Sequence, residues 1–298
     1  MKRAIFFINR MWAFGTIHYG LMQMLFQHGF DCEVLDWSIS YQADEFNMMI
    51  DNTDIFLTTT DGVGPLMSYN VPFEKIYAVG HGQWDLLLAN KVIGKDFYSK
   101  LGGYGVVSNI LKAKSIEFGI ERVPSVIPFG INTDRFYSKI SNQLNVVATA
   151  GAYESYNFAG EEIKRGRLTE QAAREAGLLY KNNKKFHYLT MPSFYRSVDC
   201  VVMSSVEEGA GLPMMEAAAA GRLTIGTPVG YYADNYLVSG GICVPVEANA
   251  FVTECRQQLN FFKSYPHDYF KHCKQIQEYA MDNYKWTKFI DKWINFLS

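Results

Sequence analysis

The 298-residue sequence lacks several features by which whole classes of protein are identified. It contains no uninterrupted apolar run of about 18 residues, the length that a membrane-spanning helix needs. Its five cysteines are odd in number and include no C-x-x-C pair, which disfavours a disulfide framework or a zinc site. The apolar run at residues 4–8 ends at Asn9, too early for a secretory signal. We therefore expect a reducing, cytoplasmic compartment.

An excess of positive charge is also missing. Lys and Arg number 28 against 30 Asp and Glu, so the formal net charge at pH 7 is −2. General nucleic-acid binding needs many cations that neutralise phosphates, so this balance argues against a nucleic-acid partner. Apolar residues make up 48% of the chain, within the range of ordinary globular domains. The length allows two compact units.

Short apolar runs of β type alternate with helical stretches along most of the chain. This alternation predicts mostly parallel sheets with helices on both faces. The pattern lapses in a polar stretch around residues 132–144, so we predict two doubly wound α/β domains over residues 1–139 and 140–275, and a terminal helix over 276–298. The predicted strands cover residues 4–8, 32–35, 55–57, 76–79 and 106–107 in the first domain and 145–150, 200–203, 223–225 and 242–244 in the second.

The most informative segment follows the strand at 200–203. In open α/β sheets, ligands bind at the carboxyl ends of the strands. Here that strand ends at Ser204, a loop with Gly209 and Gly211 follows, and a helix begins near Pro213. Glycines let a backbone approach a bulky ligand closely, and a helix N-terminus offers unpaired N–H groups. This arrangement suits a phosphate or pyrophosphate.

Two glutamates flank this helix start. Glu208 lies in the loop and Glu216 on the first turn of the helix, where a carboxylate can accept hydrogen bonds from sugar hydroxyls. The alternative is an ordinary loop with a capping glutamate and an alanine-rich packing helix. The E-x7-E spacing resembles the signature of the family 4 retaining glycosyltransferases, within the glycosyl transferases group 1. The motifs that carry this resemblance are residues 15–18, 28–34, 107–109, 126–136, 205–221 and 227–230.

The resemblance implies the GT-B fold, in which two Rossmann-like doubly wound domains face each other and a C-terminal helix crosses back to the first. It also implies metal-independent, retaining transfer of a sugar from a nucleotide-diphosphate sugar to an acceptor hydroxyl, without a cofactor. By likeness, Glu216 bonds the ribose and Glu208 faces the donor sugar. The implied nucleotide-binding residues also include Ser204 and the loop residues Gly209, Ala210, Gly211 and Leu212.

The basic side chains for the diphosphate are expected shortly after the second domain begins. Family members usually carry an Arg just after the glycine that corresponds to Gly151 and a Lys-Gly farther on. This chain has no Arg beside Gly151, so Lys164 and Arg165, which precede Gly166, are the candidates. A solvated basic helix start is the alternative. The segment 178–185 is shorter than in the family, which leaves base recognition open.

In the first domain, His81 follows a predicted strand between two glycines, where an imidazole can hydrogen-bond a sugar or an acceptor. Family members have a histidine in this region, so His81 is a candidate catalytic residue, and Asp85 either orients it or caps a helix. The acceptor is expected near the first helix and the end of the first domain. The candidates there are Trp12, Gly15, Thr16 and Asn109.

Two other functions stay open at this stage. One is a catalytically degenerate GT-B protein that only binds a nucleotide sugar, and the other is a GT-B epimerase of the nucleotide sugar. The expected partners are a nucleotide-diphosphate sugar donor and a glycan or lipid-linked acceptor. Peripheral membrane association and oligomeric state are left open.

Overall fold

The computed structural model describes residues 1–9, 13–157, 160–184 and 188–298, with the backbone alone at 13–16 and 235–238. The chain divides into two compact units. The first comprises Met1–Gly130 and Trp286–Ser298, and the second comprises Ile131–Lys285. The predicted boundaries, after residues 139 and 275, lie elsewhere because the polar stretch that suggested a linker contains Phe136, which is fully buried in the second unit.

The first unit contains a six-stranded parallel sheet with the strand order β2-β1-β3-β4-β5-β6. Strand β1 is buried at five successive residues, as expected for a parallel strand that is covered on both faces. The strands are β1 Lys2–Ile8, β2 Phe30–Asp36, β3 Ile55–Thr59, β4 Ile76–Gly80, β5 Gly103–Val106 and β6 Ser125–Val126. The α-helices are α1 Ala13–Gln27, α2 Ala43–Asp51, α3 Val63–Ser68, α4 Gln83–Val92, α5 Phe97–Lys100 and α6 Asn109–Glu117.

The second unit contains a five-stranded parallel sheet with the order β11-β10-β9-β7-β8. Its strands are β7 Val146–Thr149, β8 Leu179–Asn182, β9 Cys200–Met203, β10 Leu223–Gly226 and β11 Ile242–Cys243. Its α-helices are α7 Thr133–Phe136, α8 Gly166–Glu175, α9 Met191–Arg196, α10 Leu212–Ala219, α11 Gly230–Ser239, α12 Ala248–Ser264 and α13 Pro266–Asn283. Short 3₁₀ turns occupy Thr60–Gly62, Phe73–Lys75, Tyr188–Thr190 and Trp286–Lys288. The two sheets confirm the predicted α/β fold class.

The last helix, α14 Ile290–Leu297, belongs to the first unit. Its residue Trp293 is fully buried and donates a hydrogen bond from Nε1 to the carbonyl of Pro128 at 2.8 Å. Phe296 packs edge-on against Tyr77, with ring centroids 5.6 Å apart. The predicted terminal helix over 276–298 is therefore two helices, because α13 ends at Asn283 in the second unit. No helix within the described ranges is long and apolar enough to cross a membrane.

Candidate active site

The loop after β9 lies at the carboxyl end of a central strand, since β9 has β10 on one side and β7 on the other. The loop reaches α10 through Gly211, whose φ of +78° is one that L side chains rarely adopt. Pro213 lies in the first turn of α10, where its missing N–H costs no hydrogen bond. The free amides of the first turn therefore point out of the helix toward the loop.

Glu216 lies in the second turn of α10, one turn later than predicted, because the helix begins at Leu212. Its side chain is buried. Oε2 accepts a hydrogen bond from the hydroxyl of Tyr195 at 2.7 Å, whereas Oε1 has no partner among the described residues. Burial raises the pKa of Glu216 to about 7, and the Tyr195 hydrogen bond and the charge of Arg135 act in the opposite direction. The carboxylate thus has an oxygen left for a hydroxyl donor.

Glu208 takes part in a second cluster at the start of the same loop. Its Oε1 accepts a hydrogen bond from Ser205 Oγ at 2.7 Å and forms an ion pair with Lys164 Nζ at 2.5 Å. Both charged side chains are largely covered, with 16% of Glu208 and 25% of Lys164 exposed. The fold therefore brings two predicted site residues into contact from distant positions in the chain, and Ser205, which the sequence did not single out, orients the carboxylate.

Arg165 does not take part in this cluster, and its role as a diphosphate ligand stays a prediction. Its guanidinium is buried and donates from Nε to the carbonyl of Ser204 and from Nη1 to the carbonyl of Val246, both at 2.7 Å. The hydroxyl of Ser204 lies 2.8 Å from the carbonyl of Arg165 in return. The two residues brace the interior of the second unit. Arg165 Nη2 is buried and has no hydrogen-bond partner among the described residues, so Lys164 and Arg165 both stay candidates for the diphosphate.

In the first unit, His81 directly follows β4 and is buried. Its ring lies edge-on to the ring of His18, with centroids 5.5 Å apart, and stacks near Phe129. Burial, and then the charge of His18, hold the pKa of His81 well below its ordinary value, so its imidazole is neutral near pH 7. His18 is fully buried in α1 and belongs to the motif at residues 15–18, although the sequence did not single it out as a site residue.

Asp85 caps a helix and does not hold the imidazole of His81. Its Oδ2 accepts from the backbone N–H of His81 and its Oδ1 from that of Gly82, both at 2.7 Å, which completes a cap at the start of α4. Burial, and then the charge of Asp61, raise the pKa of Asp85 to about 7.

The predicted acceptor residues are placed only in part. Trp12 lies outside the described residues. Gly15 and Thr16 belong to the first turns of α1, where the backbone alone is described, and Asn109 is an exposed residue at the start of α6. The acceptor site therefore stays a prediction. Across the described ranges, no group of three His, Cys, Asp or Glu side chains is arranged to hold a metal ion.

Residues 143–260 match the family model described as Glycosyl transferases group 1. The matched segment contains Lys164, the loop with Glu208 and the helix with Glu216. The resemblance to this family is thereby confirmed. No curated protein matches the chain.

Several solved structures share the fold of this chain. HepE from Anabaena, in complex with UDP and glucose, has a TM-score of 0.71 at 12% identity and covers 100% of this chain and 99% of its own. Sucrose-phosphate synthase from Thermosynechococcus elongatus has a TM-score of 0.71 at 13% identity, covering 99% and 98%. A TarM mutant from S. aureus has a TM-score of 0.66 at 14% identity, covering 86% of this chain. The chain spans 58% of the length of that TarM. These likenesses establish the GT-B fold.

Gly230 holds the glutamate loop of the group 1 segment in place. Its φ is +61°, and a Cβ there would lie 2.9 Å from the carbonyl carbon of Ala210 and 3.0 Å from Cβ of Glu208. We expect Gly230→Ala to lower the free energy of unfolding by about 1–2 kcal/mol through its φ and by about 1–3 kcal/mol more through these contacts. Urea denaturation followed by circular dichroism measures the sum of the two costs.

Gly29→Ala is the matched control. Gly29 also has a positive φ, +85°, but a Cβ there meets nothing within 4 Å. It should show the φ cost alone. Equal destabilisation of the two variants would show that the contacts with the loop are relieved at little cost.

Proposed function

We propose that this protein is a retaining, metal-independent glycosyltransferase that moves a sugar from a nucleotide-diphosphate sugar to an acceptor hydroxyl. The observation that carries the proposal is the carboxylate of Glu216, which is buried one turn into a helix that starts at a glycine loop, with one oxygen left unpartnered. The match of residues 143–260 to glycosyl transferases group 1 supports it. Neighbours such as HepE, solved with UDP and glucose, support a uridine diphosphate donor.

In this proposal Glu216 accepts hydrogen bonds from the ribose hydroxyls. An ionised carboxylate is an acceptor with sites on both oxygens, and only one oxygen is used by Tyr195. A buried acceptor without a partner costs free energy, and that cost is recovered when a ligand hydroxyl bonds to it. The free protein therefore holds a preformed place for a hydroxyl next to the loop.

The diphosphate would lie on the amides of residues 209–212 and the start of α10, since helix N-termini bind anions. Lys164 is the basic side chain that the structure keeps near this loop. It is paired with Glu208, so the diphosphate must share or take this ammonium group. The pairing neutralises Glu208, a carboxylate that would otherwise repel an incoming phosphate.

During transfer the bond between the anomeric carbon and the β-phosphate oxygen breaks, and the acceptor hydroxyl oxygen bonds to the same face of that carbon. The acceptor proton passes to the leaving phosphate oxygen. Lys164 and the helix amides stabilise the charge that develops on the diphosphate, while Glu208 positions the sugar. We propose that no divalent metal is needed, so turnover should persist in EDTA. The role of His81 toward sugar or acceptor stays a prediction.

A degenerate nucleotide-sugar-binding protein is the second candidate. Two observations favour it: no Arg lies beside Gly151, and Arg165 donates to interior carbonyls. Slow hydrolysis of the nucleotide sugar by the purified protein would separate an enzyme from a binder, which shows none. An epimerase would convert the donor sugar without any acceptor, so product analysis distinguishes it.

Replacing Glu216 with glutamine tests the proposal at its central residue. Hydrogen bonds to a charged group contribute about 1.5–3 kcal/mol, so Glu216→Gln should weaken nucleotide-diphosphate binding by about 10–100-fold. Isothermal titration calorimetry with UDP, GDP and ADP measures the dissociation constants and identifies the base. Glu254→Gln, an exposed position on α12 in the same unit, is the control. Unchanged affinity in Glu216→Gln, or no binding of any nucleotide to the wild type, would contradict the proposal.

A further inference from the structure

Arg135 lies on α7, which packs against the helix that carries Glu216, although no motif assigns it a role. Its Nη2 donates a hydrogen bond to the carbonyl of Tyr188 at 2.9 Å. The guanidinium lies 4.3 Å from the ring centroid of Tyr188 and 5.4 Å from that of Phe136. Among the described residues it forms no ion pair. Arg135 is thus a cation that is held in place by a carbonyl and two aromatic rings, with its charge uncompensated by a close carboxylate.

A short chain of contacts links this cation to Glu216. Phe136, the next residue, packs edge-on against Tyr195, with ring centroids 5.7 Å apart. The hydroxyl of Tyr195 in turn donates to Oε2 of Glu216. Helix α7, which carries Arg135, also packs against α10, which carries Glu216. Packing of α7 against α10 and of Phe136 against Tyr195 therefore holds the helix of Arg135 against the helix of Glu216.

In the part of the chain that the structure describes, the other charged groups on α7 and α13 are exposed, namely Asp134, His267, Asp268, Lys271, Lys274, Glu278 and Asp282, and burial lowers the pKa of the half-buried His272. Tyr195 from α9 donates a hydrogen bond, and β10 has no titratable side chain. The buried titratable groups of the remaining neighbours are Cys200 of β9 and Tyr269 and Cys273 of α13, whose pKa values are all raised by burial, so that they are uncharged near pH 7. Arg222, just before β10, donates to the carbonyl of Lys139.

The ionisation of Glu216 matters because only the carboxylate accepts hydroxyl donors on both oxygens. Burial raises the pKa of this group to about 7 even though the Tyr195 hydrogen bond and the charge of Arg135 both lower it. A bound nucleotide would cover it further, which again favours the protonated form. A fixed positive charge counters this effect.

We propose that Arg135 is a positioning residue that keeps Glu216 ionised while a nucleotide is bound, and that it thereby sets the pH range over which the protein binds its donor. The inference rests on the proposed function, since it needs a nucleotide at Glu216. Arg135 acts on the carboxylate through its charge and need not touch the ligand. Its effect on binding is therefore expected to depend on pH, whereas a purely structural role would weaken binding equally at every pH.

The test is calorimetry from pH 5.5 to 8.5 with whichever of UDP, GDP and ADP binds the wild type most tightly. Affinity should fall on acidification, because the protonated carboxyl loses its acceptor capacity. In Arg135→Gln the carboxyl loses the cation that favours its charged form, so the midpoint of this fall should move upward by about one pH unit. Binding should then be up to about tenfold weaker at pH 6 and little changed at pH 8.5. Arg135→Lys, which keeps the charge, should restore much of the difference.

Two controls separate the causes. The terminal phosphate of the nucleotide also takes up a proton at about pH 6, which by itself changes the affinity. Glu216→Gln has no carboxyl group at this position, so its pH dependence of binding is that of the ligand alone. Carboxyl ¹³C NMR of the ligand-free protein follows Glu216 directly and should show its pKa rise in Arg135→Gln. Equal midpoints in wild type and Arg135→Gln, or an equal loss of affinity at all pH values, would overturn the inference. Failure of every nucleotide to bind the wild type would instead refute the proposed function, and this inference with it.

Discussion

Glu208→Gln is expected to lower the turnover number of sugar transfer by about 10²–10³-fold, the usual effect of removing one group that acts on the transition state. Nucleotide-diphosphate affinity should hold or rise. The reason is the ion pair with Lys164 at 2.5 Å: without the carboxylate charge, the ammonium group is free for the phosphates. Turnover is measured by release of the nucleotide diphosphate from the nucleotide sugar, and affinity by calorimetry.

Lys164→Gln is the matched variant of the other ion-pair partner, and its effects on turnover and on diphosphate affinity should differ from those of Glu208→Gln. It removes the cation and leaves Glu208 held by Ser205, so affinity for the diphosphate should fall. In the double variant the two effects should not add, because the side chains are in contact. Parallel losses of turnover and affinity in Glu208→Gln would contradict the assignment of Glu208 to the sugar.

Trp293→Ala is expected to lower the free energy of unfolding by about 3–5 kcal/mol, the largest stability effect that we predict. The indole is fully buried, packs edge-on to Phe296 and donates to the carbonyl of Pro128. Its removal leaves a cavity and an unpartnered carbonyl between α14 and the rest of the first unit. Thermal and urea denaturation followed by circular dichroism measure the loss.

The free energy of unfolding of Trp293→Phe should lie between those of the alanine variant and the wild type, since phenylalanine keeps an aromatic ring and loses the hydrogen bond. Trp84→Ala, whose side chain is 41% exposed in the same unit, should cost far less. Comparable losses at Trp84 and Trp293 would mean that α14 contributes little to this core.

The amino-acid sequence predicts well those parts of the molecule whose residue pattern lies within one short segment of the chain. The loop from β9 to α10 is one continuous segment, with a buried strand, glycines, a proline and two glutamates in order, so the motif and its setting could be predicted together. The first strand of each sheet is likewise a short apolar run. In each of these cases, neighbours along the chain are also neighbours in space.

Strands whose residue pattern is weak or misleading were missed or misplaced in the sequence analysis. Strand β8 lies at a sheet edge and is mostly exposed, so it lacks an apolar run. Strand β5 was predicted too late because Gly103 and Gly105 suggest a turn. They are glycines because a Cβ at Gly103 would lie 2.3 Å from the ring of Tyr77 and one at Gly105 would lie 2.6 Å from Ile127.

The direction in which a side chain points could not be predicted at all. Lys164 and Arg165 are adjacent and equally basic, yet one faces Glu208 and the other bonds to interior carbonyls. The left-handed backbone at Arg165, with φ of +48°, produces this difference. Likewise, nothing local links His18 on α1 to His81 after β4, because their rings meet only once the first unit is folded.

The division of the chain also has a consequence for biosynthesis. The second unit is continuous from Ile131 to Lys285, so a growing polypeptide presents all of it before the final helix is translated. The first unit begins earlier but lacks Trp293, which fills its core, until the segment after Lys285 has been synthesised. The unit that is started first is thus completed after the second unit, and its β5 side stays uncovered in the nascent chain until α14 packs there.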